Sequence, residues 1–267
     1  RIGVVLIPHG SDHNWNEQMR ESYTPLTGEY TIEEAFSMVD PVVVERAVRR
    51  LEDAGAEAAV VVRIFSLEEN FRDRAEYVLG LRPEYGGGMG GRFPMRIESH
   101  LRFVTLGGLE ANPLFARALL DRAQALSTDP SKETVILLAH GTGDDARNEH
   151  WMQNLAAIAD TMRARGGDAF RAIRYHTWRE DWPEKRKETI PEIRAMVREA
   201  SAGDGTAIVI PARTTAQGPA ERFLEGLDYR YGTGFAPHPL FVEWLREQIE
   251  TGIARLNGAE ESVSAAR

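Results

Sequence analysis

Short apolar runs alternate with amphipathic stretches along the whole chain. The first run, residues 2–7 (IGVVLI), is continuous and of strand length, which is typical of a parallel strand covered on both faces. Later runs of the same kind predict strands within residues 56–65, 95–107, 134–141 and 205–213. The pattern therefore predicts a series of buried strands separated by segments long enough to form helices.

Helix signals occupy the segments between these runs. Asp40-Pro41 and Asn112-Pro113 each combine an N-cap residue with a proline at the first helical position, where the missing N–H costs nothing. Apolar residues recur at three- and four-residue spacing across 149–167, which predicts an amphipathic helix there. Two further helices are predicted, one from Pro191 and one over 236–256. Alternating strands and helices predict an α/β fold with mostly parallel sheets.

Landmarks of the first half recur in the second. His9-Gly10-Ser11 follows the first strand, and His140-Gly141-Thr142 follows the strand within 134–141. The string Pro-Leu-Phe begins a predicted helix in each half. These matches indicate an internal duplication, and the polar stretch STDPSKE (127–133) is the predicted linker. We therefore expect two lobes of similar topology, residues 1–130 and 131–267. The glycine-rich stretch EYGGGMGGR (84–92) predicts a loop inside the first lobe.

Composition narrows the possible functions. The chain has 267 residues, of which 42% are hydrophobic, and this is enough for a sizeable core. A net charge of -9 argues against a general nucleic-acid binder or a protein of anionic membranes, because those surfaces would repel it. No run approaches 18 apolar residues, so no membrane span is expected. The absence of cysteine excludes disulfides and thiolate metal sites.

The two histidines at strand ends are the main candidates for chemistry. In open α/β sheets, ligands bind beyond the carboxyl ends of the strands, where His9 and His140 stand. The hydroxyls of Ser11 and Thr142 and the N–H groups around them can bind an anion. Neutral imidazole is a good ligand for Co²⁺, Ni²⁺, Fe²⁺ or Zn²⁺ and also accepts protons near neutral pH. A structural role for either histidine is the alternative.

A second group of candidates lies in the later half. His176 and Glu180 would share a face if that stretch is helical, and they would then add metal ligands. Trp178 and Trp182 beside them could stack on a flat ligand, with core packing as the alternative. Arg213 could pair with ligand carboxylates, with an ordinary ion pair as the alternative.

These motifs resemble the sirohydrochlorin cobalto- and ferrochelatases, the CbiX/SirB group of class II tetrapyrrole chelatases. The resemblance rests on the two His-Gly-Ser/Thr strand ends and on GFAPHPLFVEWL (234–245), and it covers nearly the whole chain, one family unit per half. It implies two flavodoxin-like lobes, a tetrapyrrole in the cleft between them, and His9 and His140 as the catalytic, metal-holding histidines. Gly218 is a position of the family pattern, and with Ser11, Thr142 and Arg213 it completes the set of expected substrate contacts.

Two departures from the family pattern are visible. The family's second histidine follows the middle strand, where this chain has Asn70 or Phe71 in the first half and Ala220 in the second. A glutamate expected shortly before the second helix is matched by Glu180, whereas the first half has Met38. The candidate metal ligands are therefore His9, His140 and Glu180 from the resemblance and His176 from its spacing to Glu180, and the working site is expected to lie in the second half.

Two functions are open at this point. The first is a lyase that inserts Co²⁺, Fe²⁺ or Ni²⁺ into a sirohydrochlorin-like tetrapyrrole for cobalamin or siroheme biosynthesis, without an organic cofactor. The second is a non-catalytic protein that binds metal, a tetrapyrrole or another anionic small molecule. A phosphatase or transferase is weaker, because no Arg-His-Gly string occurs at either strand end. The resemblance implies a cytoplasmic protein. The chain starts at Arg1, so export after removal of a leader is the alternative.

Overall fold

The computed structural model describes residues 1–86, 94–215 and 218–265 of the chain, with side chains as far as residue 258. Most of the glycine-rich stretch 84–92, which was predicted to be a loop, therefore lies outside the described residues.

The first sheet has four parallel strands in the order β2-β1-β3-β4. These strands are β1 (Ile2–Pro8), β2 (Ile32–Glu34), β3 (Ala58–Ile64) and β4 (Arg102–Gly107). Every residue of the central strand β3 is buried, and its Val61 packs with Val5 and Ile7 of β1 in one apolar cluster. A strand covered on both faces reads as a continuous apolar run, which is why β1 and β3 were recognisable in the sequence.

The second sheet repeats this arrangement. Its strands are β5 (Glu133–Ala139), β6 (Ala172–Thr177), β7 (Thr206–Pro211) and β8 (Arg230–Tyr231). They are all parallel and lie in the order β6-β5-β7-β8, so each strand takes the position of its counterpart in the first half. The fold is therefore α/β, with two flavodoxin-like lobes of equal strand order, as the repeated landmarks predicted.

Eight α-helices connect the strands of the described residues. They are α1 (His13–Tyr23), α2 (Pro41–Asp53), α3 (Arg72–Val78), α4 (Pro113–Leu126), α5 (Asp145–Ala164), α6 (Pro183–Ser201), α7 (Ala220–Phe223) and α8 (Pro239–Ala265). Asp40 accepts a hydrogen bond from the N–H of Val42, and Asn112 accepts one from the N–H of Leu114. The two predicted N-caps are thus confirmed.

Several elements differ from the sequence-based prediction. Strand β6 was not predicted, because only Ile173 and Thr177 of its six residues are buried and its apolar signal is weak. Helix α6 begins at Pro183 and carries Pro191 inside it, whereas Pro191 was expected to begin the helix. None of the helices in the described residues is long and apolar enough to cross a membrane.

The contacts divide the chain into two compact units, residues 1–109 with 242–267, and residues 110–241. The predicted boundary at residue 130 separates the two sheets, but the units differ from the predicted lobes in two helices. Helix α4 follows the first sheet and packs against β7 and α5 of the second unit. Helix α8 follows the second sheet and lies almost entirely in the first unit. The placement of α4 and α8 depends on contacts between residues that are distant in sequence, so local sequence patterns do not predict it.

Gly252 shows how closely α8 approaches the first sheet. A Cβ atom built on Gly252 would lie 2.4 Å from Cγ1 of Val60 in β3. We therefore expect Gly252→Ala to destabilise the protein by about 1–3 kcal/mol, because the added methyl overpacks a filled core. The measurement is the free energy of unfolding in urea. The loss caused by Gly252→Ala should be smaller when it is measured in a Val60→Ala background than in the parent, because the clashing methyl is then absent. An equal loss in the two backgrounds would contradict this packing.

Candidate functional site

Two equivalent turns follow the first strand of each sheet. Gly10 (φ +82°) and Gly141 (φ +72°) adopt left-handed backbone conformations that favour glycine. At each turn the histidine Nδ1–H donates to the carbonyl oxygen of the glycine after it, over 2.7 Å at His9 and 2.6 Å at His140. Because Nδ1 is occupied as a donor, Nε2 is the nitrogen of each ring that can exchange a proton or bind a metal ion.

An asparagine closes each turn. The N–H of Ser11 donates to Oδ1 of Asn16 (3.0 Å), and the N–H of Thr142 donates to Oδ1 of Asn148 (3.2 Å). These two N–H groups are therefore occupied by the protein itself, and only the hydroxyls of Ser11 and Thr142 remain for the predicted contact with substrate. The matching Ser–Asn and Thr–Asn bonds also show that the duplication extends to the details of both turns.

The first turn carries little else that can do chemistry. His9 is exposed and meets the edge of Phe65, with ring centroids 6.3 Å apart. Among the hydrogen bonds and ion pairs of the described residues, none joins His9 to a carboxylate. Met38, which stands where the family pattern has a glutamate, is 52% exposed.

The second turn is surrounded by carboxylates and aromatic rings. Nε2 of His140 lies 2.8 Å from Oδ2 of Asp181 and 3.7 Å from Oε1 of Glu180. Trp151 stacks on the imidazole at 6.1 Å between ring centroids, and Trp182 meets it edge-on at 5.9 Å. The rings limit the orientations of the imidazole, so its Nε2 stays directed at the two acids.

Glu180 also joins His140 to two further predicted residues. Its carboxylate pairs with the guanidinium of Arg213, and both side chains are mostly buried. Gly218 lies against the same guanidinium, since a Cβ atom built there would be 3.0 Å from Nη1 of Arg213. The structure thus brings together four of the predicted site residues: His140, Glu180, Arg213 and Gly218.

Arg179 holds the two acids in position. It has a left-handed backbone (φ +53°), and its side chain donates to the carbonyl oxygens of Thr142 (2.6 Å) and Gly143 (2.8 Å). It also pairs with Asp145, and the hydrogen bonds from Arg179 and Lys185 hold the pKa of that carboxyl below its usual value. The loop after β6 is therefore tied to the turn after β5, which places Glu180 and Asp181 beside His140.

Comparison with known proteins agrees with this picture of the fold. No family model matches the chain, and no curated protein matches it. Among solved structures, SirB from Bacillus subtilis with Fe3+ superposes with a TM-score of 0.66 at 14% identity, over 93% of this chain and 96% of that one. CbiX, described as the terminal enzyme for biosynthesis of siroheme in denitrifying bacteria, gives 0.58 at 15% identity, over 94% and 98%. This chain has a chelatase fold of the CbiX/SirB kind.

A third structure with the chelatase fold is longer. DR2241 from Deinococcus radiodurans, described as a multi-domain protein with structural similarity to chelatases and two additional novel domains, superposes with a TM-score of 0.61 at 21% identity. The match covers 94% of this chain and 55% of DR2241, so this chain spans about half the length of that protein. At such identities the comparisons establish the chelatase fold alone.

His176 lies in strand β6 and has hydrogen-bond partners other than the candidate site. The segment 172–177 is a strand, so the expected helical pairing of His176 with Glu180 is wrong. Nδ1 of His176 accepts from the N–H of Thr177 (2.8 Å), and Nε2 donates to Glu192 of α6 (2.7 Å). Side chains alternate across a strand, and it is the next residue, Thr177, that bonds to Asn148 below the turn. The hydrogen bonds of His176 among the described residues therefore go to its neighbour Thr177 and to Glu192 of α6, and none of them joins it to His140.

The positions of the family's second histidine are occupied by residues with local roles. Oδ1 of Asn70 accepts from the N–H of Leu67 and closes a turn. Ala220 is buried at the start of α7 and packs in the core of the second unit. Within the described part of the chain, no group of three or more His, Asp or Glu residues is arranged to hold a metal ion.

Asp181 is the site residue that the sequence analysis missed. It is the carboxylate nearest to Nε2 of His140, yet it stands in a loop with other charged residues and has no motif of its own. The available signal was its position next to Glu180, shortly before the proline that begins α6.

Of the two tryptophans considered as ligand contacts, Trp178 is 2% exposed and belongs to the core, whereas Trp182 is 37% exposed.

Proposed function

We propose that this chain inserts a divalent metal ion, Co²⁺, Fe²⁺ or Ni²⁺, into a sirohydrochlorin-like tetrapyrrole. The observation that carries the proposal is the position of His140, with Glu180 and Asp181 at its Nε2, beyond the carboxyl end of a central strand in a chelatase fold. The fold supports the class of reaction, since one structural neighbour was solved with Fe3+ and another is described as a siroheme biosynthesis enzyme.

The reaction requires two events that these residues can serve. The free macrocycle loses two pyrrole N–H protons, and the metal ion exchanges its water and protein ligands for the ring nitrogens. His140 accepts a proton at Nε2, and the resulting imidazolium is then satisfied at both nitrogens, by Gly141 O and by Asp181. The side chain of Asp181 is 69% exposed, so it can pass the proton on to water.

The metal ion is a substrate in this scheme. An imidazole nitrogen and carboxylate oxygens are ligands that suit Fe²⁺, Co²⁺ and Ni²⁺. We propose that Nε2 of His140 and the carboxylate of Asp181 provide two ligands to the ion before transfer, and that Arg213 attracts the carboxylates of an anionic macrocycle. A small set of protein ligands favours release, because the ring nitrogens have less competition to overcome.

A binding protein without turnover is the second candidate. It is favoured by Ala220, which is buried in the core where the family places its second histidine, and by the ion pair that already engages Glu180 with Arg213. In this case the same residues bind metal or a tetrapyrrole and no metal enters the ring.

The absorbance of metal-free sirohydrochlorin mixed with Co²⁺ distinguishes the two candidates. We expect the spectrum to convert to that of the metallated ring faster with the protein than without it, in proportion to protein concentration. A spectral shift without conversion would support the binding protein. A rate equal to that of the protein-free mixture, with no shift, would contradict both.

A further inference from the structure

Trp182 combines exposure with a fixed position beside the candidate site. Of the large apolar side chains in the described residues, it is one of the few that are exposed, at 37%. Its indole meets the imidazole of His140 edge-on, with an interplanar angle of 89°. The residue before it in the chain is Asp181, whose carboxylate faces the same imidazole. A partly exposed indole therefore adjoins the groups proposed to carry the reaction.

The position of Trp182 in its helix is unfavourable for stability. Trp182 is the N-cap residue of α6 and makes no side-chain capping hydrogen bond. Helices α1, α2, α4 and α5 are capped by side chains of Asp12, Asp40, Asn112 and Asp144. Asp and Asn are strongly preferred at this position, and tryptophan provides no acceptor for the free N–H groups of the first turn. A tryptophan at this N-cap forgoes a stabilising contact used by four other helices of the chain.

The surrounding backbone makes room for the indole. A Cβ atom built on Gly143 would lie 2.2 Å from Cδ1 and 2.3 Å from Nε1 of Trp182, so no larger residue fits there without moving the ring. Gly143 is also held by Arg179, which donates to its carbonyl oxygen. The N–H of Trp182 donates to the carbonyl oxygen of Arg179 (3.1 Å). The ring is therefore fixed against the turn that carries His140.

We propose that Trp182 is a specificity-determining residue whose indole stacks on the flat face of the conjugated macrocycle. The inference rests on the proposed function and adds to it the surface that selects a planar aromatic substrate. Stacked aromatic rings attract each other beyond the area that they bury, so a planar ring system gains more from the indole than a flexible anion of equal charge does. The exposure of Trp182 beside His140 is the observation on which the inference depends.

The test is a binding titration of metal-free sirohydrochlorin without added metal, followed by quenching of tryptophan fluorescence and by absorbance of the macrocycle. The variants are Trp182→Phe, Trp182→Leu and Trp182→Asn. Asn is neutral and can cap α6, so it should raise or preserve the thermal midpoint while it removes the stacking face. The matched control is Trp15→Leu, which replaces a partly exposed tryptophan near the first strand end.

We expect binding to weaken by roughly 10-fold in Trp182→Leu and Trp182→Asn, and to stay near the parent in Trp182→Phe and Trp15→Leu. Unchanged binding in Trp182→Asn, or an equal loss in Trp182→Phe and Trp182→Leu, would overturn the inference. A parent that binds the macrocycle through Trp182 but inserts no metal would refute the proposed function and leave this inference standing. A parent that does not bind the macrocycle would refute the inference.

Discussion

If the proposed function holds, we expect replacement of His140 by alanine to lower the rate of metal insertion by about 100-fold or more, the contribution of a positioned proton acceptor. Replacing His9 by alanine leaves the rate close to that of the parent. The difference arises from the surroundings of the two rings. His140 is bounded by Glu180, Asp181 and two tryptophans, whereas His9 is exposed and contacts no carboxylate of the described residues. The measurement is the initial rate of conversion of sirohydrochlorin with Co²⁺, from the absorbance of the metallated ring.

His9→Ala is a matched control for His140→Ala, because both rings follow a parallel strand and bond to the carbonyl oxygen of a left-handed glycine. Thermal midpoints of both variants near that of the parent would show that the fold is intact. Equal rates in the parent and both variants would mean that neither histidine carries the function. A larger loss in His9→Ala would reverse the assignment and place the working site in the first half.

We expect Glu133→Leu to lower the free energy of unfolding by about 1–3 kcal/mol, the cost of removing a buried acceptor from its hydrogen-bond donors. Glu133 begins β5 and is 1% exposed. It accepts from the hydroxyl of Ser127, from the N–H groups of Thr128 (2.9 Å) and Asp129 (3.3 Å), and from Arg230 (3.0 Å). Leucine fills the space but leaves these donors without an acceptor. Denaturation by urea, followed by circular dichroism, measures the change.

The same residue contributes to the loss of stability in acid. Burial raises the pKa of Glu133, but the hydrogen bonds from Ser127, Thr128 and Asp129 and the charge of Arg230 outweigh it and hold the pKa below the ordinary value. A carboxylate with a lowered pKa in the folded state stabilises the protein above its unfolded pKa, and this contribution is lost as the pH falls through the folded pKa. The difference in stability between the parent and Glu133→Leu should therefore begin to shrink as the pH falls below about 4.3 and go on shrinking through the lower pKa of the folded state. A constant difference down to acid pH would contradict a charged Glu133.

Much of the second-half site was accessible from the sequence because its signals are local. A continuous apolar run followed by His-Gly-Thr predicts a buried strand and a tight turn, and both occur at His140. Glu180 was singled out from its place shortly before a helix, and the structure brings it to His140. The expected pairing of His176 with Glu180 failed because a four-residue spacing brings side chains together only in a helix, and the segment is a strand.

The sequence by itself determined the secondary structure where a strand buried on both faces gives a continuous apolar run, as in β1, β3, β5 and β7. It also determined the helix starts at Asp40 and Asn112, because a capping residue is a local signal. It also determined the duplication, because equal landmarks at equal places in two halves require no knowledge of contacts. Only the tertiary structure decided which unit α4 and α8 join, since each helix packs on strands that are remote in sequence. Only the tertiary structure could place Asp181 at Nε2 of His140, 41 positions earlier in the chain, because that contact depends on Arg179 tying one loop to another. Contacts of this kind arise from the path of the backbone through space, and local patterns of polarity carry no information about them.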